Sequence, residues 1–339
     1  CLAISNTSEN IDCCKALLNF LLEKDNLTEY CTANGGMPGL SDVTPEDSES
    51  LELYKKSVEA AGDNITYSNF FDREYLPSGM WNVMQETMAK LYSWAILKES
   101  VDLKKPRTFN EKIQWLKIHE YPNNPLVVQG ADKFAVRKYI EKKGLEKRLV
   151  PLVGAWKKAE DIDWGKLPDQ FVLKCNHGCA YNIICTDKSK FDRKAAVKQL
   201  SKWMKEDFGA FNIELHYSKI QPHMITCEEY LGEAIVDYKF FCFNGSPKYM
   251  YVSSDLIHDR QAHIGFFYLD GKKMPLIRDD YAPMDLEKLP SFFDDMKRDA
   301  TILCQDFPFV RVDFFLANGT YYFAELTFTP SAGMMPFNP

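Results

Sequence analysis

Long apolar runs and a leading signal segment are both missing from this sequence. No stretch approaches the roughly 18 to 20 consecutive apolar residues that a membrane-spanning helix requires. The first residues also lack the basic and then apolar pattern of a secretory signal. We therefore expect no membrane span and a cytoplasmic location.

Paired cysteines and an excess of positive charge are missing as well. The ten cysteines are scattered, and pairs such as Cys175/Cys179 have no second pair at the spacing of a zinc site. Free thiols in a reducing compartment are the simplest interpretation. The net charge of -7 gives no overall attraction for nucleic acid, so we expect no nucleic-acid partner.

The sequence does contain enough apolar residues for more than one packed domain. It has 339 residues, of which 45% are hydrophobic and 14% aromatic. The patterns are helical up to about residue 97, whereas short strands rich in Phe, Tyr and Val follow from Phe171. We therefore predict a mainly helical N-terminal segment, residues 1–97, followed by an α+β domain, residues 98–339.

A lysine leads into a turn of small residues in the stretch FVLKCNHGCAYNII, which begins at Phe171. Strand alternation places Val172, Lys174 and Asn176 on one face. A fixed positive charge beside accessible backbone N–H groups can hold a phosphate. For this short motif alone, a hairpin with a solvated lysine is the simpler explanation, and His177 is more typical of a local hydrogen bond than of a catalytic base.

A second charged strand follows in the stretch ITCEEYLGEAIVDYKFFCFNG. Its alternation places Asp237, Lys239, Phe241 and Phe243 on one face. The simplest interpretation of this segment alone is an antiparallel sheet whose charged side chains are solvated.

The stretch FVRVDFFLANGTYYFAELTFTPSAGM predicts a β-hairpin with one charged and one apolar face. The charged face carries Arg311 and Asp313 on the first strand. On the second strand the same face carries Phe323, Glu325 and Thr327. The alternate positions form the apolar face: Val312, Phe314, Leu316, Ala324, Leu326 and Phe328.

The length of the hairpin loop decides which residue lies opposite Asp313. A two-residue Asn318–Gly319 turn pairs Asp313 with Ala324, whereas a three-residue loop centred on Gly319 pairs Asp313 with Glu325. We expect the second pairing, because magnesium usually takes one or two carboxylates from a protein, together with phosphate oxygens and water, and two facing carboxylates beside an arginine suit such a site. A salt-bridged surface patch remains the alternative.

The order and spacing of these motifs resemble the ATP-grasp superfamily. The motifs are VLK at 172–174, CEEYL at 227–231, DYK at 237–239, RVDFF at 311–315 and AELTFTP at 324–330. Together with TFNEKIQWLK and ADKFAVRKYI they resemble the TupA-like ATP-grasp family over about residues 98–339. The resemblance implies an ATP-grasp fold, in which two α+β subdomains hold a nucleotide between them. It also implies that the domain is truncated at its C-terminal end.

The resemblance assigns ATP and Mg2+ as cofactors and gives individual residues a role in holding the nucleotide. Lys133 and Lys174 would contact the α- and β-phosphates. The loop over the phosphates would include Asn176, His177 and Gly178. The hinge that reads adenine would be Glu228, Glu229, Tyr230 and Leu231, and Asp237 would approach the ribose.

Catalytic and metal-binding roles follow from the same resemblance. Lys239 would contact the transferred phosphate, and Arg311 would anchor either the transferred phosphate or the acyl group. Asp313 and Glu325 would hold magnesium, with Thr327 at the position where many relatives carry asparagine.

The implied activity is that of an ATP- and magnesium-dependent ligase, which joins a carboxylate to an amine through an acyl phosphate. The family's association implies a role in cell-surface polysaccharide or teichuronopeptide biosynthesis. The substrates would be small-molecule or glycan carboxylates and amines. One alternative is a glycosyltransferase of capsule or cell-wall synthesis, although the acid pairs Asp279/Asp280 and Asp294/Asp295 lack the acid–x–acid spacing of a metal motif.

The other alternative, a non-enzymatic sugar-binding fragment, rests on the N-terminal segment. Residues 1–95 resemble the C-terminal tail of extracellular sugar-binding proteins of ABC transporters. A tail of that kind joined to an ATP-using enzyme suggests either a fusion or a fragment.

Overall fold

A computed structural model describes residues 80–337, apart from residues 212, 234, 255–261 and 279–280. The chain divides into two compact units, residues 1–80 and 81–339. Nearly all of the predicted N-terminal segment, with its resemblance to a sugar-binding tail, therefore lies outside the described residues. Among the described residues, no helix is both long and apolar enough to cross a membrane.

The described part of the chain alternates helices and strands. Its α-helices are α1 Met80–Leu97, α2 Phe109–His119, α3 Pro125–Ala131, α4 Val136–Lys142, α5 Arg193–Trp203, α6 Phe208–Phe211, α7 Leu215–Ser218 and α8 Phe293–Cys304. Its strands are β1 Leu152–Trp156, β2 Phe171–Cys175, β3 Asn182–Cys185, β4 Ile225–Glu229, β5 Val236–Phe243, β6 Ser246–Ser254, β7 His263–Tyr268, β8 Ala282–Pro283, β9 Phe309–Ala317 and β10 Thr320–Thr327.

The strands form two separate sheets. The smaller sheet has four strands in the order β1-β4-β2-β3, and the larger has six in the order β10-β9-β5-β6-β7-β8. Neighbouring strands are antiparallel except for β7 and β8. This arrangement of sheets and helices confirms the predicted α+β class.

Helix α1 packs against residues that follow it in the chain. Ala89 forms a small apolar cluster with Val101, Leu103 and Ile118. Part of the predicted N-terminal segment therefore contacts the α+β domain. The boundary near residue 97 stays a prediction.

The larger sheet is buried on both faces. Phe240 and Phe314 lie in a core with Met296 of α8, while Phe241 packs on the opposite face with Ile113 of α2. The charged side chains of β5 and β9 that lie between these cores are therefore removed from water. The expectation of solvated charges on β5 is wrong, because Asp237 and Lys239 are only 5% and 6% exposed.

The smaller sheet follows the predicted alternation. Phe171, Leu173 and Cys175 are buried against Leu200 of α5. The intervening side chain of Lys174 is only partly buried and points away from this core. The apolar face of β2 is therefore the reason why Lys174 is directed to the opposite side of the sheet.

Asp313 pairs with Glu325 in the β9–β10 hairpin, as predicted, but the hairpin loop differs from the predicted one. The loop has two residues, Asn318 and Gly319, because Ala317 pairs directly with Thr320. Both loop residues have positive φ, 53° and 73°, as a type I′ turn requires. The expected three-residue loop is therefore wrong.

A β-bulge at Ala324 shifts the register of β10 by one residue and so brings Glu325 opposite Asp313. Phe314 pairs with Phe323, but the next pair is Asp313 with Glu325, so two residues of β10 oppose one of β9. The bulge also changes the predicted faces. Phe323 joins the buried core, whereas Ala324 turns to the side of Glu325.

We predict that Gly319→Ala destabilises the protein by about 1 kcal/mol, because an alanine at positive φ is strained. The added Cβ would meet no atom within 4 Å, so the cost is one of backbone conformation and not of packing. Urea denaturation measures the free energy of unfolding. Gly165→Ala is the control at a glycine outside the positive-φ set, and an equal loss there would contradict the explanation.

Candidate active site

A cleft lies between residues contributed by both sheets. The smaller sheet contributes Lys174, Asn182 and Glu228, and the larger sheet contributes Lys239 and Glu325. The remaining lining residues come from α4, from the segments before α4 and β1, from the β2–β3 loop and from the β9–β10 hairpin: Lys133, Val136, Arg137, Leu149, Val150, Ala180, Tyr181, Phe315, Phe323 and Ala324. The cleft thus combines positive charge, two carboxylates and an apolar wall.

Lys133 is fixed at the start of α4. The Asp132 carboxylate accepts hydrogen bonds from the backbone N–H groups of Phe134 and Ala135 at 2.8 and 2.9 Å. The Lys133 N–H donates to the carbonyl of Asn176 at 3.1 Å, and its ammonium donates to the carbonyl of Gly178. Lys133 therefore ties α4 to the loop between β2 and β3.

Lys174 meets a carboxylate across the sheet. Its ammonium lies 2.5 Å from Oε2 of Glu228, whose Oε1 lies 3.3 Å from Arg137. Arg137 also donates to the carbonyl of Val150 at 3.0 Å. Arg137 was not among the site residues predicted from the sequence; the sign that could have identified it was a second basic side chain four positions after Lys133.

The other predicted loop residues form the base of the β2–β3 loop and are buried. Met224 N–H donates to Oδ1 of Asn176 at 2.8 Å, and the Asn176 amide donates to the Pro222 carbonyl at 3.2 Å. His177 contacts the carbonyl of Trp203 at 2.9 Å through Nε2. Burial, reinforced by His223, lowers the pKa of His177 to about 4, so His177 is neutral at physiological pH.

The predicted hinge places one side chain in the cleft. Of its members, Glu228 lines the cleft, while Glu229 is exposed and Tyr230 and Leu231 are half-buried. The backbone N–H of Glu229 donates to the carbonyl of Pro151 at 3.1 Å.

Four predicted residues form a buried charge cluster in the larger sheet. Lys239 Nζ lies 3.0 Å from Asp237 and 2.9 Å from Asp313. Arg311 makes a bidentate contact to Asp313, with 2.7 and 2.6 Å between the nitrogen and oxygen atoms. Asp313 is completely buried. The two carboxylates are thus balanced by two cations.

For the two cations of this cluster, the neighbouring carboxylates outweigh burial. Burial by itself would lower the pKa of Lys239, but Asp237 and Asp313 hold that pKa above its usual value. Burial likewise opposes the charge of Arg311, whose pKa is nevertheless raised by Asp313. Both side chains therefore stay positively charged at neutral pH.

Glu325 connects the charge cluster to the cleft. Its Oε1 accepts a hydrogen bond from Thr327 at 3.0 Å and lies 3.6 Å from Arg311. Burial would raise the pKa of Glu325, but Lys133, Lys239 and Arg311 hold it below its usual value. About a third of this side chain, 35%, is exposed, so an ionised carboxylate faces the open cleft.

The donor set fits magnesium only with additional ligands from a bound molecule or water. Among the described residues, no group of three or more His, Cys, Asp or Glu side chains is arranged to hold a metal ion. Asp313 and Glu325 face each other across two strands, and magnesium usually takes one or two protein carboxylates. Because Asp313 already contacts Arg311 and Lys239, Glu325 is the more accessible of the two.

These two sheets, with lysines and facing carboxylates around the cleft between them, define an ATP-grasp domain. The chain belongs to the TupA-like ATP-grasp family, whose sequence pattern matches residues 111–339. A comparison with curated proteins found no significant match.

Solved structures with a similar fold include three bacterial enzymes. D-alanine–D-alanine ligase from Bacillus anthracis, in complex with ATP, is 13% identical, with a TM-score of 0.38 over 59% of this chain and 55% of that one. L-amino acid ligase from Bacillus licheniformis is 13% identical, with a TM-score of 0.40 over 66% and 49%. N5-carboxyaminoimidazole synthetase from Staphylococcus aureus, in complex with ADP, is 14% identical, with a TM-score of 0.35 over 63% and 47%. The chain thus spans about half the length of each.

We predict that Asp313→Asn destabilises the protein by about 3–5 kcal/mol, because it leaves Arg311 and Lys239 buried without their shared counter-charge. Asp285→Asn is the matched control, since Asp285 pairs with Lys273 at 2.5 Å but its side chain is 85% exposed. The control should lose no more than about 1 kcal/mol in the same urea denaturation experiment. Equal losses in both variants would show that the cluster is not a structural constraint.

Proposed function

We propose that this protein binds ATP together with magnesium in the cleft and uses it to join a carboxylate to an amine. The observation that carries the proposal is the convergence of Lys133, Lys174 and Lys239 on one cleft that also contains Glu325. These lysines come from three separate parts of the chain. Membership of the TupA-like ATP-grasp family supports the same activity.

The phosphates would lie near Lys133 and Lys174. Both ammonium groups now contact oxygen atoms of the protein, the Gly178 carbonyl and the Glu228 carboxylate. Phosphate oxygens would compete for the same donors through charge-assisted hydrogen bonds. Arg137 would then remain as the partner of Glu228 when Lys174 turns to a phosphate.

The apolar wall of the cleft suits the adenine ring. Val136, Val150 and Phe323 line the cleft and are each nearly buried. Apolar lining with a few polar groups is typical of a small-molecule site. The hinge 228–231 would supply the polar contacts to the base, and Asp237 would act at the ribose or by fixing Lys239.

Asp313 and Glu325 would hold magnesium, with Thr327 beside them. The metal, when bound, would supply positive charge at the phosphate oxygens. Among the protein groups, Lys239 and Arg311 would stabilise the negative charge of the transferred phosphate.

The chemistry requires no nucleophilic side chain. The substrate carboxylate would attack the terminal phosphorus of ATP to form an acyl phosphate and release ADP. The amine would then attack the acyl carbon and release phosphate. The protein's contribution would be positioning and charge stabilisation, both of which fixed lysine and arginine side chains can supply.

The wider role we propose is cytoplasmic, in the synthesis of cell-surface polysaccharide or teichuronopeptide, with small-molecule or glycan acids and amines as substrates. The glycosyltransferase alternative has less support. Asp294 and Asp295 are surface residues, paired with Lys297 at 3.0 Å and Arg298 at 2.5 Å. Asp279 and Asp280 lie outside the described residues.

The activity can be tested by incubating the full-length protein with ATP, magnesium and a panel of amino acids and uronic acids. ADP release that depends on one acid and one amine, with formation of their amide, is the expected result. ADP release without an amide product would contradict the ligase assignment.

We predict that Lys174→Met weakens the affinity for ATP-magnesium about ten- to hundredfold, as expected for loss of a charge-assisted contact to phosphate. The substitution keeps the length of the aliphatic side chain and removes the positive charge that contacts Glu228 in the cleft. Lys166→Met is the control, because Lys166 is a surface residue whose side chain is 86% exposed. Calorimetric titration measures both affinities. If the affinity of Lys174→Met for ATP-magnesium stays within about twofold of the wild-type affinity, Lys174 is not a phosphate ligand.

A further inference from the structure

The β2–β3 loop, residues 176–181, has a buried base and an exposed tip. Asn176, His177 and Gly178 are buried, whereas Cys179 and Ala180 are exposed. Ala180 and Tyr181 at the end of the loop line the cleft, together with Asn182 at the start of β3. The position of the tip therefore affects the shape of the cleft.

Contacts to the segments after α5 fix the base of this loop. His177 bonds to the Trp203 carbonyl at 2.9 Å, and its ring stacks on His223 with 3.6 Å between ring centres. Nδ1 of His223 in turn contacts the Met204 carbonyl at 2.9 Å. Both histidines therefore join the loop to the C-terminal end of α5.

Tyr181 makes the corresponding contacts for the tip. Its ring stacks on Trp203, with 5.0 Å between ring centres and 13° between ring planes. Its hydroxyl donates a hydrogen bond to Oε2 of Glu206, two residues beyond Met204. Burial, followed by the contact with Glu206, raises the pKa of Tyr181, so the hydroxyl keeps its proton at neutral pH.

Gly178 makes room for this arrangement. A Cβ atom added at Gly178 would lie 2.7 Å from Cδ2 of Tyr181. The glycine therefore allows the Tyr181 ring to fold back over the base of the loop. Phe208 completes the packing, edge-on to Tyr181 at 5.5 Å.

We propose that the Tyr181–Glu206 hydrogen bond is a latch that fixes the loop tip beside the cleft, and that both side chains are positioning residues for the bound nucleotide. This inference rests on the proposed ATP site, because residues 180–182 would line it. The latch connects the loop beside the cleft to the segment between α5 and α6, which contributes no side chain to the described lining of the cleft.

The latch is tested first without any ligand. Tyr181→Phe keeps the stacked ring and removes only the hydroxyl. We expect faster backbone amide hydrogen exchange at residues 179–182 in this variant. Tyr268→Phe is the matched control. It removes the same hydroxyl group from a residue on β7, away from the loop, whose side chain is 46% exposed. Unchanged exchange in Tyr181→Phe would overturn the latch.

The positioning role is tested with ATP-magnesium in calorimetric titrations of the full-length chain. Tyr181→Phe should weaken the affinity about tenfold, and Glu206→Ala should do the same, with no further loss in the double variant. Glu206→Gln keeps an acceptor oxygen and should restore most of the affinity. If the wild type binds ATP-magnesium and Tyr181→Phe binds it with the same affinity, the positioning role is wrong. Absence of binding by the wild type would instead overturn the proposed function, while the exchange result would still decide the latch.

Discussion

The buried Asp313 carboxylate is the interaction on which the site depends. It lies on β9, between β10 and β5 of the larger sheet, with no exposed surface and in contact with Arg311 and Lys239. A buried charge is tolerated only when oppositely charged groups replace the water it has lost. The strands must therefore keep the register that brings these three side chains together. Asp237 completes the charge balance from the neighbouring position on β5.

The same constraint explains why the functional groups face one cleft. Core residues on the alternate positions of β5 and β9 leave the charged residues only one side of the sheet. On the smaller sheet, the apolar face of β2 packs against α5 and directs Lys174 to the opposite side. Glu228 and Arg137 then hold Lys174 in a charge-balanced group. The two charge clusters thus lie on two different sheets, with the cleft lined by members of both.

Much of this arrangement could be predicted from the sequence, because strand alternation depends only on local residue order. Alternation placed Lys174 on the same face as Val172, and Asp237 on the same face as Lys239. The bulge at Ala324 could not be predicted, since an extra residue in a strand leaves no clear sign in a short alternating pattern. Burial of Lys239 and the pairing of Glu228 with Lys174 depend on how distant segments pack. These contacts required the structure, and the roles of the site residues in binding remain predictions.

We propose that the facing carboxylates Asp313 and Glu325 make nucleotide binding dependent on magnesium. Calorimetric titration of ATP into the full-length protein, first with magnesium and then after its removal with EDTA, measures this dependence. We expect clear binding with magnesium and at least roughly tenfold weaker binding without it, a difference of about 1.4 kcal/mol. Equal affinity under both conditions, or no binding when magnesium is present, would contradict it.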